Sequence, residues 1–140
     1  MARQKHAYHD HLTPVPLFAG LSDDELDAVA HAATQLDYKA GKVLMREGEL
    51  AHEMFVLVTG ELEVTRDGEY IADIGPGGFA GELALVTNHH RNSTVTAKTD
   101  VSVLHIDGRE FAGVLEAAPR IAVKLLPIIA SRLATVEHHD

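Results

Sequence analysis

The apolar residues of this 140-residue chain recur with two periods, and the change of period divides it. From Ser22 onward the spacing is helical: Leu26, Val29, Ala30 and Ala33 share one face. Ser22 and Glu25 have the spacing of a capping box, and Leu21 with Leu26 that of a hydrophobic staple, so a helix is predicted from Ser22 to near Thr34. The period then drops to two. Residues 35–40, 43–47, 53–59, 61–66, 69–74, 93–98 and 101–106 read as short strands, punctuated by Gly41, Gly48, Gly60, Asp67-Gly68 and Asp100. Asp-Gly between two alternating runs predicts a tight hairpin. Helical spacing returns after Asp107, which with Glu110 is placed to cap a helix carrying Phe111, Val114 and Leu115. Ala118-Pro119 breaks that helix, and Pro119 suits the first position of a last one, running to about residue 136.

That last helix is apolar on two sides, with Ile121, Leu125 and Ile128 along one line and Ala122, Leu126, Ile129 and Leu133 along another. Pro127 inside it is predicted to kink it. One side is expected to pack on the strands. For the other, a homodimer through the C-terminal helix and burial within its own domain stand as equal expectations. The predicted fold is α+β, mainly β: an antiparallel, jelly-roll-like β-roll of about eight strands with an N-terminal helix, a short helix near residues 82–86 and two C-terminal helices. A single domain spans 1–140, with a flexible lead-in at 1–13, an N-terminal helical part at 14–34, the roll at 35–107 and the C-terminal helices at 108–137.

Composition changes this picture only by exclusion. An apolar fraction of 46% is ordinary for a globular domain, and no run approaches the ~18 apolar residues of a membrane span. No secretory signal pattern opens the chain, so a cytoplasmic protein is expected, and no membrane partner. The absence of cysteine excludes disulfides, iron–sulfur clusters and thiolate zinc sites. A formal charge of −9 with no basic stripe argues against direct nucleic-acid binding. His6, His9 and His11 read as a solvated tail, with no metal site expected; His89 and His90 read as loop residues, and His105 as a core or rim histidine. Asn92-Ser93-Thr94 fits a glycosylation pattern by chance. No nucleophile–base pair, metal cluster or phosphate-loop lysine is present, so no catalytic residue is assigned and an enzyme is not expected.

The candidate chemistry lies in residues 75–97. Gly75-Pro-Gly-Gly-Phe-Ala-Gly81 is a glycine-rich bend leading into Glu82-Leu-Ala-Leu-Val86, a run fit for one helical turn. Free N–H groups at such a bend and helix start favour an anion. Arg91 is placed to clamp the same anion, and Glu82 is an acceptor suited to a ligand hydroxyl. Two plainer readings stand beside these: Glu82 as a cap of the turn, and Arg91 as an ion-pair partner of Glu82 or Asp73.

The order of elements, with Gly75 to Leu85 followed by Arg91-Asn-Ser-Thr-Val95, resembles the phosphate-binding cassette of cyclic-nucleotide-binding domains of the catabolite-activator and protein-kinase-A-regulatory type. Gly41, Arg46-Glu-Gly-Glu49 and Val58-Thr-Gly-Glu-Leu-Glu-Val64 add to the resemblance, which covers residues 14 to about 136. It implies Glu82 on the ribose hydroxyl, Arg91 on the cyclic phosphate, N–H donors from Leu83, Ala84 and Asn92, a close approach at Gly81, Ser93 beside them, and Val95 against the base. Arg132 is a candidate to reach back to Glu82 and couple ligand to helix. His90 stands where the family often has proline, and Asn92 where relatives carry alanine, serine or threonine, which leaves base preference open; the reading leans to cAMP, with cGMP possible. The resemblance implies no cofactor beyond that ligand. It implies a non-catalytic sensor module, bacterial in type, acting on a downstream partner or fused effector; the alternatives are the sensor half of a transcription regulator or a roll that no longer binds nucleotide.

Overall fold

A computed structural model describes residues 12–50, 52–82 and 90–138, with side chains described through residue 132. Pro16–Phe18 form a 3-10 turn, followed by helix α1 (Asp23–Ala32). Eight strands follow: β1 (Ala33–Tyr38), β2 (Val43–Met45), β3 (Glu53–Thr59), β4 (Leu62–Arg66), β5 (Glu69–Ile74), β6 (Phe79–Ala80), β7 (Thr94–Ala97) and β8 (Val101–Asp107). Helices α2 (Gly108–Ala117) and α3 (Pro119–His138) close the chain. The predicted α+β roll is the fold found.

The capping box on α1 is complete: Glu25 N–H donates to the Ser22 hydroxyl, and Ser22 N–H donates to the Glu25 carboxylate. Yet α1 ends at Ala32, and Ala33 and Thr34 already pair with Ile106 and His105 in β8. Pairing on the neighbouring strand overrides helical spacing at these two residues. Asp67 and Gly68 both adopt positive φ, 53° and 80°, as a two-residue hairpin turn between β4 and β5 requires.

The strands form two antiparallel four-stranded sheets, β1-β8-β3-β6 and β2-β7-β4-β5. Their inner faces meet in one core, in which Phe55, Leu57, Leu62, Val95 and Val103 are buried. The outer face of the first sheet carries the helices, and Met54, Val56, Leu104 and Ile106 pack there with Phe18, Leu26, Phe111 and Ile121. This double burial explains why Met54-Phe-Val-Leu57 is apolar at every position rather than alternating.

β6 is a strand that sequence reading left inside the glycine bend. Its two residues divide between the cores, Phe79 toward the helices and Ala80 into the roll. Hydrogen bonds from Gly77 N–H to the Leu57 carbonyl and from Leu57 N–H to the Gly78 carbonyl fix the bend against β3. The two apolar lines on the last helix also divide differently from expectation. Ala118, Ile121, Leu125 and Ile129 are buried, while Val123 and Leu126 are 70% and 63% exposed. Ile129 therefore belongs with Ile121 and Leu125, because positions i, i+4 and i+8 drift only slightly round a helix. The helix runs through Pro127. Pro127 and Val123 are both exposed, so the Val123 carbonyl that loses its partner there is open to water. Among the described residues, no helix is long and apolar enough to cross a membrane.

Candidate functional site

A cup of about 300 Å³ opens between the end of β6 and the second sheet. Its floor is apolar, with Met45, Val64, Ile71, Ala72, Ile74, Ala80 and Val95. Its polar rim is Arg66, Asp73, Gly81, Glu82, Asn92, Ser93 and Arg132. Sheet pairing builds the floor, since Val64 on β4 faces Ala72 on β5 and Val95 on β7.

Gly81 holds the anion end together. Its φ is +88°, and a Cβ there would sit 2.7 Å from the Glu53 carbonyl oxygen and 2.9 Å from Arg91 Nη1. Only glycine allows the chain to pass this close to β3 and the arginine. Arg91 is itself placed by the segment before β3: its N–H donates to the Glu49 carbonyl at 2.8 Å, and its carbonyl accepts from Gly48 N–H at 2.9 Å. The guanidinium turns under the bend. Nη2 donates to the Glu53 carbonyl at 2.8 Å and lies 3.6 Å from the Glu53 carboxylate, and Nη1 reaches the Gly81 carbonyl at 3.5 Å. Arg91 Nε is buried and has no partner among the described residues. A buried guanidinium donor without a partner is costly unless something accepts from it, and an anion seated on the bend is a chemically suitable acceptor.

Glu82 is 3% exposed. Burial raises its pKa above the ordinary carboxyl value, opposed first by the charge of Arg132 and more weakly by Arg91. Arg132 donates to the Glu82 carboxylate and, at 3.4 Å, to the Phe79 carbonyl; its guanidinium lies 5.1 Å from the centre of the Phe79 ring. One side chain of the last helix thus covers the acidic group of the cup.

Of the residues singled out from sequence, Gly81, Glu82, Asn92, Ser93, Val95 and Arg132 line the cup, and Arg91 lies beneath Gly81. Leu83, Ala84 and the expected short helix at 82–86 lie outside the described residues, Glu82 apart, as does His89. Arg91 pairs with Glu53, and Asp73 with Lys98 at 3.1 Å, so neither of the partners proposed for Arg91 on the plainer reading makes an ion pair with it. Two residues escaped the sequence reading. Glu53 opens β3, and its relation to Arg91 follows from chain pairing alone. Arg66 ends β4 immediately before the hairpin, two positions from Val64 and therefore on the same face.

Two sheets closed over an apolar cup, with a glycine bend, a buried arginine and a buried glutamate beside it, define a β-roll whose cup combines an apolar floor with buried charge. The profile of the cyclic nucleotide-binding domain matches residues 35–118, and the chain belongs to that family. It is 31% identical over 110 residues to a cAMP-dependent protein kinase regulatory subunit of Schizosaccharomyces pombe, covering 78% of this chain and 27% of that protein. It is 34% identical over 108 residues to a cyclic nucleotide-gated potassium channel of Rhizobium etli, covering 77% of this chain and 30% of that one. The chain thus spans under a third of the length of these relatives. Among solved structures it resembles the catabolite activator protein of Thermus thermophilus, with a TM-score of 0.77 at 25% identity, covering 89% of this chain and 61% of that one. The cAMP-bound regulatory domain of Toxoplasma gondii protein kinase A shares the fold, with a TM-score of 0.80 at 22% identity over 91% of this chain and 50% of that one.

Proposed function

We propose that the chain is a non-catalytic receptor module that binds a cyclic nucleotide, cAMP foremost, and passes the binding event to its last helix. The observation that carries this reading is the pairing of two buried charges across Gly81: Glu82 at the rim of the cup, and Arg91 beneath it with Nε unpartnered. A cyclic nucleotide carries a group to match each of them. Its phosphate accepts from Arg91, its ribose hydroxyl donates to Glu82, and its base covers the apolar floor at Val95 and Val64. Leu83, Ala84 and Asn92 supply further N–H donors in this reading, by resemblance to the family.

Arg132 gives the route outward. It occupies Glu82 in this structure, so a ribose hydroxyl must share or displace that contact, and α3 feels the change. The output is a downstream protein or a fused effector in the cytoplasm, such as the rest of a regulated enzyme or transcription factor. The exposed pair Val123 and Leu126 suits a second copy of the chain packing along α3.

Titration calorimetry with cAMP and cGMP tests the central statement. Binding with a thermal shift is expected. No heat and no shift at ~1 mM of either ligand, where a micromolar binder gains several kcal/mol, overturns it and leaves a roll without a ligand.

A further inference from the structure

Arg66, Arg91 and Arg132 all stand at the cup, and two of them are neutralised by the protein itself. Arg132 lies on the Glu82 carboxylate, and Arg91 Nη2 lies 3.6 Å from the carboxylate of Glu53. Asp73, on the rim, is matched by Lys98 at 3.1 Å. Arg66 differs from these groups, because it makes no ion pair among the described residues. Glu47, beside the same hairpin, is turned instead to the Asp67 N–H at 3.1 Å and the Thr94 hydroxyl at 3.3 Å.

Strand pairing puts this unmatched charge on the anion side of the cup. Val64 pairs with Val95 and Thr65 with Thr94, so Arg66 stands opposite Ser93, on the Arg91 side of Val95. Its Nε donates to the Asn92 carbonyl at 3.0 Å, and its Nη2 donates to the Ser93 hydroxyl at 3.3 Å. A guanidinium carries more N–H donors than these two bonds use. Nη1 takes part in neither of them and has no partner among the described residues. Arg66 is half-buried and lines the cup, so its charge is only partly screened by water.

Pair by pair the other charges of the cup cancel, and the one left over belongs to Arg66. A chain of formal charge −9 repels an anion as a whole, so locally unmatched positive charge is what draws a phosphate to this cup. We infer that Arg66 is a second anion-binding residue, supplying the net positive charge for the ligand's phosphate while Arg91 supplies hydrogen bonds of fixed direction. Its contribution is to the phosphate and is therefore the same whatever the base. The inference rests on the cyclic-nucleotide reading given above.

The test measures affinities of cAMP and cGMP by calorimetry for the wild type, Arg66→Gln and Arg66→Lys, at low and at high sodium chloride. At low salt Arg66→Gln is expected to weaken each nucleotide that binds about tenfold, the effect of losing a hydrogen bond to a charged group. Arg66→Lys keeps the charge without the planar fork, and should stay within about threefold of the wild type. The advantage of the wild type over Arg66→Gln should shrink as salt rises, because ions screen a charge but not the packing of a wall. Thermal unfolding checks that each variant keeps the roll, and Arg66→Met, with an apolar chain on the same wall, is the neutral variant if glutamine unfolds it. Arg66→Lys binding as weakly as the neutral variant, or an advantage equal at both salts, makes Arg66 a tether of Asn92 and Ser93 and overturns the inference. So does a loss confined to one of two nucleotides that bind, because that places Arg66 on the base. Failure of the wild type to bind either nucleotide is a different result, and it refutes the receptor reading itself.

Discussion

Gly81→Ala is the substitution that presses hardest on the proposed site. The residue sits at φ +88°, where a side chain costs about 1–2 kcal/mol. The added methyl would also meet the Glu53 carbonyl oxygen at 2.7 Å, Arg91 Nη1 at 2.9 Å and the Met54 Cα at 3.2 Å. Two of those three atoms belong to the backbone of β3, which is held there by its pairing with Asp107 and Ile106 of β8 and cannot give way cheaply. Overpacking of this kind adds about 1–3 kcal/mol. The sum is about 2–5 kcal/mol, less than the whole stability of most domains of this size. The protein should remain folded, with a clear loss in a urea melt followed by far-UV circular dichroism. Relief of the contact moves the Arg91 guanidinium, and cAMP and cGMP should both bind at least about tenfold more weakly, equal to about 1.4 kcal/mol. Gly113→Ala is the control. Gly113 is in the exposed part of α2 with nothing within 4 Å of its added Cβ, so alanine there should stabilise by about 0.5–1 kcal/mol. A loss below about 0.5 kcal/mol at Gly81, with ligand affinity unchanged, would refute the close-approach argument.

The other expectations concern the charges around that glycine. Arg91→Ala and Glu82→Ala should each weaken nucleotide binding by about 2–3 kcal/mol in calorimetry; losses under ~0.5 kcal/mol for both would place the ligand elsewhere. Burial raises the Glu82 pKa above 4.5, so the folded state holds this proton more tightly than the unfolded state. Its contribution to stability is then full below the unfolded carboxyl range and is lost as pH rises through the folded value. The stability of Glu82→Gln minus that of wild type should therefore climb as pH rises above 4.5, and a flat or falling difference in urea melts would contradict the sign. Arg132→Ala frees the Glu82 carboxylate, and should change both nucleotide affinity and the ligand-dependent hydrogen exchange of α3; no change in either removes Arg132 from the coupling.

Periodicity was enough to read seven of the eight strands and all three long helices, because each carries at least one face of regular spacing. β6 was not readable. Two residues, Phe79 and Ala80, are too few to show a period, and the glycines around them look like a loop. What makes them a strand is their pairing with Phe55 and Val56, a long-range fact. The same limit applies to the last helix. Sequence shows two apolar lines, but which one is covered depends on where the outer face of the first sheet lies, and Leu126 turned out to face solvent. In the cup, Gly81, Glu82 and Arg91 could be picked out because they stand close together in one unusual stretch. Glu53 and Arg66 stand 38 and 26–27 positions away from the groups they touch, on ordinary-looking strands, and nothing local distinguishes them.

The geometry also limits how a signal can leave the cup. Glu82 and Gly81 hang from the edge of the first sheet, Asn92, Ser93 and Arg66 belong to the second, and Arg132 comes from α3. The beginning of α3 is fastened elsewhere. Arg120 donates to the Gly20 carbonyl at 2.8 Å, and Lys124 donates to the Pro16 carbonyl at 3.3 Å. Ile121 and Leu125 are buried among the helices beneath. Beyond Leu125, Ile128 and Ile129 pack on the helical core, and Arg132 sits on Glu82 and over Phe79. Pro127, between these two anchorages, omits one backbone hydrogen bond. On the proposed receptor reading, a ligand competing for Glu82 would act on the far half of α3 while the near half stays fastened. It can shift that half only by the difference in its affinity for the two arrangements, which is bounded by what Arg132 gains on Glu82 and Phe79. A partly exposed arginine on a buried carboxylate is a contact of modest worth, large enough to bias the helix and small enough for a ribose hydroxyl to contest.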